Sequence, residues 1–579
     1  MATLISPSLA LVVAGLLLLG FVLYRASIPT PIPGIPYFAA SASRPFGDVP
    51  DAMRHLAQTK QICTFLTQRC VELQSPICQV FMRPFSKPWV VVADSREAQD
   101  IMGRRTREFD RSEFFGDLFS GTVPHNQVHM KTTDQWRWNR RLMADTMSPA
   151  FLQNVAGPQV AAAFADLLEL WREKCKIANG RPISVADDVM EAMVDTIFAS
   201  SFGASSAANR AQLDFITQAD IPLPSTMGVD DVVEFPKAPH PTVYDAITGL
   251  TESSIIPMQS PLGRRHHWFA LTFYPRLRRA RKLVEQLMYD KLDAAWNKFS
   301  HPSASDADIK CAAELIVERE AKLAAKESRA PQYKTPIVRD ELFGFIMAGH
   351  ETTASTLTWG LKLLTQHQEI QQKLREHLKS AFGGAEKGSG LPSPIEIGKA
   401  QAPYLDAVIE EILRASGTVA MNVRVAVQDT QLLGHVIPKG TDIFMLTQGP
   451  SYTAPSLPVQ ESKRSKTSQQ VPPNERWTGD WKESTLSAFD PDRWLRTDAM
   501  GSKAFDPQSG VQQTFGAGTR GCFGKKLARL MLRITITSII LTFDLQPLPQ
   551  NLAGFEAVDV LTHRPQYVYL RLAALENKE

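Results

Sequence analysis

The chain has 579 residues, 44% apolar and 21% charged, a composition that excludes a disordered, collagen-like or disulfide-scaffolded protein and supplies material for a large core. Lys and Arg outnumber Asp and Glu by 63 to 60 with no long basic run, so charge gives no reason to expect a nucleic-acid partner. The six cysteines, Cys63, Cys70, Cys78, Cys175, Cys311 and Cys522, follow neither zinc-like nor framework spacing, as expected in a reducing compartment.

In chain order, Ala2 to Tyr24 carries no charge and is dense in Leu, Val, Ala and Gly. A helix of that length reaches across the roughly 30 Å of a bilayer core, and no basic segment or small-residue cleavage site marks a secretory leader. A retained single-pass anchor over 1–25 is expected, and Arg25 at its end places the following chain in the cytosol by the positive-inside rule. Pro29, Pro31, Pro33, Gly34 and Pro36 predict a stiff, non-helical hinge over 26–38, because proline removes a donor and restricts the residue before it. Residues 39–579 read as one domain.

Within it, Ile77–Phe81 and Trp89–Val92 read as strands, and Asp94-x-x-Glu97 as a capping-box start to a helix. Most of the rest has helical period. The longest helix, from about Val338 to about Gln366, is apolar nearly all round and is expected to be buried through the centre of the molecule. It is interrupted by Ala348-Gly349-His350-Glu351-Thr352-Thr353, where glycine costs about 1 kcal/mol relative to alanine and a buried Glu needs a partner. Two readings follow: threonines bonding back to carbonyls one turn earlier, or a widened groove in which a carboxyl and a hydroxyl handle protons beside a ligand.

Tyr404 to Arg414 is amphipathic, with Glu411 and Arg414 one turn apart. Ser451 to Ser487 is polar and rich in Ser, Pro, Lys and Gln, and reads as a solvent-exposed insertion. After it, Phe489-Asp490-Pro491-Asp492-Arg493-Trp494 brings a second arginine, so that Glu411 held between Arg414 and Arg493 forms a structural lock. Last comes Phe515-Gly516-Ala517-Gly518-Thr519-Arg520-Gly521-Cys522-Phe523-Gly524, ahead of a helix beginning near Lys525. Its glycines admit close approach of something flat, and a cysteine just before a helix gains thiolate character from the amides there. That is the setting of a metal ligand.

These patterns together resemble the cytochrome P-450 family of haem-thiolate monooxygenases, in its membrane-anchored eukaryotic, fungal-like form. Phe515, Gly518, Arg520, Cys522 and Gly524 match the family's F-x-x-G-x-R-x-C-x-G. Ala348, Gly349, Glu351, Thr352 and Thr353 match its [AG]-G-x-[DE]-T-[TS], and Glu411 and Arg414 its E-x-x-R. The resemblance spans residues 29 to 575. It implies a mainly α fold with a minor β-sheet region behind an N-terminal transmembrane helix. It further implies haem b with Cys522 as thiolate ligand, and Trp136, Arg140 and Arg424 against the haem propionates. Thr352 and Glu351 would deliver protons. Asp492 and Trp494 stand where many relatives carry Glu and Phe, which touches the lock rather than the iron.

Electrons would come from NADPH through a separate flavoprotein reductase, since no flavin or nicotinamide domain is recognisable in the chain. The body would face the cytosol from the endoplasmic reticulum membrane. One oxygen atom would enter a medium-sized apolar molecule, of the kind met in secondary metabolism, bound among Pro124–His129, Gly228–Phe273, the helix before Gly349, Gly417–Asn422 and Leu561–Arg564. Pro261 to Phe269 mixes basic and aromatic residues and suits either a membrane surface or a solvated helix start. Two other readings stand beside this one, a reductase-independent isomerase or dehydratase and a non-catalytic haem sensor. Glu351 and Thr352 favour the first reading, because neither alternative needs a proton relay for dioxygen.

Overall fold

A computed structural model of the chain describes residues 7–219, 221–260, 262–300, 308–383, 391–471, 481–497 and 501–575. Ala2–Ser6, Pro261 and 472–480, on which parts of the expected anchor, basic-aromatic segment and insertion fall, lie outside the described residues. The body is mostly helical with small sheets, as expected. The helices that build the site are α1 (Pro7–Ser27), α2 (Ser95–Gly103), α3 (Asp134–Leu142), α4 (Ala186–Phe202), α5 (Arg264–Phe273), α6 (Pro336–Gln366), α7 (Pro403–Ser416) and α8 (Lys525–Thr542).

Among the described residues no helix is long and apolar enough to cross a membrane. The helical body thus meets the expected fold, and the transmembrane helix is not supported. The described side chains of α1 from Leu11 to Tyr24 are uncharged and mostly apolar. They are nonetheless exposed, Leu11 at 74% and Leu17 at 70%. The hinge after α1 is seated rather than free. Gln79 accepts the Ile32 amide at 2.8 Å and donates to the carbonyls of Ile32 and Ile35 at 2.9 and 2.8 Å, and both isoleucines are buried.

α6 spans 31 residues, about 46 Å. Thr335 caps it by accepting the Val338 amide at 3.3 Å, with Pro336 in the first turn where its missing N–H costs nothing. Leu342, Ile346 and Leu357 are fully buried. α4 lies along it, and Gly349 is what lets them meet, since a Cβ there would press within 2.6 Å of Ile197. Close helix approach accounts for a glycine in mid-helix better than any irregularity of the helix itself.

A five-stranded sheet packs beside this helical core. Its strands are β1 (Ile77–Val80), β2 (Trp89–Val92), β3 (Phe109–Arg111), β4 (Met421–Ala426) and β5 (Asp442–Leu446), in the order β1-β2-β5-β4-β3. β2 and β5 are parallel and the other pairs antiparallel. A hairpin of β6 (Ala557–Asp559) and β7 (His563–Pro565) turns its tip toward α6. Between the sheet and α2 lies a small separate core of Ile35, Ile77, Val90, Ile101, Met102, Phe109 and Ile443. Asp94 caps α2 through the Glu97 amide at 2.8 Å. Glu97 does not return the bond, and its carboxylate faces Arg105 instead.

The insertion is solvent-exposed over much of its described length, Glu461–Lys463 included, but not throughout. Ser468 is fully buried, Tyr452 is at 1% exposure, and Arg464 pairs with Asp94 through two bonds of 2.7 and 2.8 Å. Hydroxyls and guanidinium groups find partners in a buried acidic face of α2, an interaction that low hydropathy does not disclose.

Candidate active site

The Cys522 loop is shaped by two left-handed glycines and a backbone clasp. Gly516 and Gly518 have φ of 62° and 66°, which side chains rarely tolerate, and a Cβ on Gly518 would collide with the Met102 carbonyl of α2. The Cys522 amide donates to the Phe515 carbonyl at 2.8 Å, closing the loop on itself. α8 begins three residues after Cys522, at Lys525. Burial pushes the Cys522 thiol up, opposed by the amides of Gly524 and Lys525 and by the charges of Arg140 and Lys525. Yet Cys522 is the one exposed cysteine of the six. A sulfur that is open and also desolvated faces an interior space rather than bulk water.

Above and beside this loop four arginines crowd together. Arg111 ends β3, Arg424 lies in β4 and is its direct cross-strand partner, Arg140 closes α3, and Arg520 belongs to the loop itself. Like charges placed opposite each other in a sheet destabilise it. Burial and mutual repulsion push Arg111 and Arg520 down to about 9 and Arg424 to about 10. Asp110 is the carboxylate that acts on all three. Burial works against its ionisation, but the Thr132 amide and hydroxyl and Arg520 hold it below the usual range.

Trp136 supplies a wall for these charges: the Arg520 guanidinium lies 4.3 Å and that of Arg140 5.5 Å from its ring. Arg140 also reaches the Gly521 carbonyl at 3.4 Å, and Arg520 the Met130 carbonyl at 2.7 Å. Arg111 Nε and Arg520 Nε and Nη1 are buried without a partner among the described residues.

On the opposite wall α6 opens in one place. Ala348 is exposed and Gly349 and Thr352 half-buried in a stretch, 345–365, that is otherwise buried. The Thr352 hydroxyl donates to the Ala348 carbonyl at 2.8 Å, which is the back-bonded arrangement, and its lone pairs remain free to accept. Glu351 is buried. Burial pushes its carboxyl up, while Arg564 and the Thr562 hydroxyl, donating at 3.2 Å, hold it back. Thr562 also meets Ser355 at 2.8 Å, and Thr356 meets Thr418 at 2.9 Å.

The two walls are tied by Gln127. Its amide and side chain donate to Glu341 of α6 at 2.7 and 3.0 Å, and its carbonyl accepts from Arg520 at 3.5 Å. Asn126 and Asn139 give Glu341 two further donors at 3.2 and 2.8 Å. Burial nevertheless pushes Glu341 up to about 7.

Glu411, Arg414 and Arg493 come together as one buried lock. Arg414 donates to both Glu411 oxygens at 2.8 and 2.6 Å, and Arg493 approaches at 3.2 Å. Trp494 adds its indole N–H at 2.9 Å, and the Asp490 amide also bonds at 2.9 Å. Asp492 faces away, toward Lys373 and Lys503.

Of the expected substrate segments, 124–129, 417–422 and 561–564 converge on α6 through the bonds above. Of the expected segment Gly228–Phe273, the helix Thr242–Ser253 also packs against α6, whereas Gly228 and Val229 are bonded through their carbonyls to Arg181 and Arg571. Arg111, Asp110 and Glu341 escape sequence reasoning, and Gln127 and Thr562 enter it only as members of expected substrate segments. A lone arginine in a short strand and an acid in a buried helix gain meaning only from their partners in space.

These residues fit a haem. The open thiol wants a metal, the buried orphaned guanidinium donors want carboxylates such as a propionate pair, and Gly524 leaves space beside the sulfur, with nothing within 4 Å of a Cβ there.

Comparison with known proteins agrees. The pattern of the cytochrome P-450 family matches residues 53–452 and 487–570. A cytochrome P-450 monooxygenase of Pestalotiopsis microspora is 40% identical over 98% of both chains. The cytochrome P-450 monooxygenase TRI13 of Fusarium sporotrichioides is 34% identical over 96% of this chain and 97% of its own. The monooxygenase xilC of Penicillium rubens is 35% identical over 95% and 94%. A solved cytochrome P-450 haem domain superposes with a TM-score of 0.65 at 16% identity, covering 95% of this chain and 99% of that one, which shows the shared fold.

Proposed function

Because this chain belongs to the cytochrome P-450 family and is a monooxygenase, we propose that it inserts one atom of dioxygen into a medium-sized apolar molecule of fungal secondary metabolism. The observation that carries this reading is the pairing of one open cysteine with a quartet of under-compensated arginines, Arg424 and Arg520 buried and Arg111 and Arg140 half-buried. A thiolate-bound haem iron supplies the capacity to activate dioxygen. The chain's own residues bind and aim that group: Cys522 as ligand, Arg111, Arg140, Arg424 and Arg520 toward the propionates, Trp136 behind the guanidinium planes.

Thr352 offers its hydroxyl lone pairs to the interior, and Glu351, kept neutral more easily by burial, is placed to pass a proton inward from the Thr562–Ser355 side. The segments 124–129, 417–422 and 561–564, drawn against α6, wall the cavity from water and confine an apolar substrate. The back-bonded Thr352 is the one feature that favours a reductase-independent isomerase or dehydratase, since a helix residue with no catalytic task also bonds this way. Burial of Glu351 beside two hydroxyls favours the monooxygenase.

Electrons from NADPH would arrive through a separate reductase. Exposed Arg137, Arg141, Trp138 and Lys526 around the Cys522 loop support an acidic partner surface. Attachment to the endoplasmic reticulum membrane with the body in the cytosol is supported by the uncharged stretch to Tyr24. A second apolar patch, Leu262, Trp268, Phe269 and Phe273, exposed beside Arg264 and Arg265, supports it too. Incubation with reductase, NADPH, dioxygen and a panel of apolar metabolites tests the reading: products heavier by one oxygen atom are expected, and conversion that proceeds without reductase and dioxygen would favour the isomerase.

A further inference from the structure

We propose that the two described parts of the insertion between the family-matched stretches, residues 453–471 and 481–486, brace the Cys522 loop, with Arg464 and Trp481 as the two positioning residues. Nothing in the family pattern covers this segment, so its role has to be found in its contacts.

One arm grips α2. Arg464 pairs with Asp94 at 2.7 and 2.8 Å. Ser465 and Thr467 donate their hydroxyls to Asp100 at 2.5 and 2.6 Å, and the Ser465 amide reaches Glu97 at 3.3 Å. Arg96 of α2 returns the grip on Glu461 and on the Ser468 carbonyl. Asp94, Glu97 and Asp100 are all buried, and three carboxylates on one helix face need this cationic and hydroxyl cover in order to stay packed.

α2 in turn carries the Cys522 loop. Gly518 rests on the Met102 carbonyl, Gln513 donates to the Ser95 carbonyl at 2.9 Å, and Val459 of the insertion packs on the same small core as Ala517 of the loop. The other arm reaches the lock. Trp481 stands edge-on to Trp494 at 4.9 Å, with the Arg493 guanidinium 4.8 Å from its ring. Gly510 lies so close to Trp481 that a side chain there would overlap the indole. Leu486 also accepts from Arg414 at 2.8 Å. The stretches 453–471 and 481–486 therefore each hold one of the two supports between which the loop is strung.

The test is hydrogen–deuterium exchange on the full-length holoprotein bearing Arg464→Ala, Trp481→Ala or both, followed by the ferrous carbon monoxide spectrum. Exchange over 95–103 and 513–524 is expected to quicken about 10-fold for Arg464→Ala, with α6 unchanged, and the share of protein lacking the red-shifted thiolate band to rise. The double variant should exceed the sum of the singles, and Arg464→Lys should recover most of the protection. If Arg464→Ala does not accumulate, Arg464→Lys is measured in its place, where loss of the forked geometry should give a smaller rise at the same peptides. Faster exchange confined to 453–486, with 513–524 as in the wild type, would overturn the brace. The inference rests on Cys522 as ligand only in its spectral arm; a wild type without the red-shifted band would sink that assignment while the exchange still decides the brace.

Discussion

Arg111 and Arg424 are direct cross-strand partners in the antiparallel pair β3–β4, Arg424 buried and Arg111 half-buried. Two guanidinium groups drawn from water in that register oppose folding unless an anion lies between them and the neighbouring Arg140 and Arg520.

Arg111→Gln should accordingly act with opposite sign on the two forms of the protein. Without haem, removing one of four repelling charges raises the melting temperature. With haem, a charge-assisted bond to a propionate is lost, so haem should dissociate about 10- to 100-fold faster. Melting of both forms and haem transfer to an acceptor globin measure the two effects. A variant destabilised equally in both forms would mean that Arg111 only packs.

Glu411→Ala strands Arg414 and Arg493 in a dry site. A loss of about 3–5 kcal/mol is expected, as for other buried ion pairs broken from one side. Trp494→Phe, which removes one neutral donor, should cost nearer 1 kcal/mol. Denaturant unfolding of the two variants checks the ranking, and a Trp494→Phe loss as large as that of Glu411→Ala would contradict it.

Glu341 gives a pH dependence of definite sign. Its carboxyl lies at about 7 in the folded protein against an ordinary 4.5, so the native state holds the proton more tightly than the unfolded one. Stability from this group is full below about 4.5 and declines as pH rises to about 7, by about 3 kcal/mol in all. Glu341→Gln should flatten that part of the profile, since Gln127 Oε1, which lacks a partner among the described residues, can accept from the new amide. Thermal melts of both proteins across this range are the check, and parallel curves would remove Glu341 from the account.

Thr352→Ala separates chemistry from binding. One hydroxyl already bonded to its own helix contributes little to haem content or substrate affinity, but a lost general-acid contribution lowers product formation by roughly 10²–10⁴-fold. NADPH should still be consumed, with peroxide released. Wild-type product per NADPH would show that Thr352 is a helix residue only.

Much of this site is legible in the amino-acid sequence. The Cys522 loop stands out because glycine, arginine, aromatic and cysteine at fixed offsets satisfy one local requirement, and α6 because it is apolar nearly all round on either side of the 348–353 run. Glu411 and Arg414 are legible as a pair, though only the return of Arg493 and Trp494 from the loop beyond the insertion shows them buried. Arg111 is not, since its meaning depends on its register with Arg424. The insertion misleads for a related reason: Arg464, Ser465 and Thr467 look solvated because hydropathy counts polar groups as surface, whereas each is matched to a buried carboxylate of α2. Gly349 reads as an irregularity until Ile197 of α4 is seen against it.

The central claim is that Cys522 binds a haem iron as thiolate, and the ferrous carbon monoxide difference spectrum of the wild type and of Cys522→Ala tests it most directly. The wild type should show the red-shifted Soret band that only a thiolate ligand produces, and Cys522→Ala should lose it while Cys63→Ala and Cys311→Ala keep it. A red-shifted band that survives in Cys522→Ala would contradict the account.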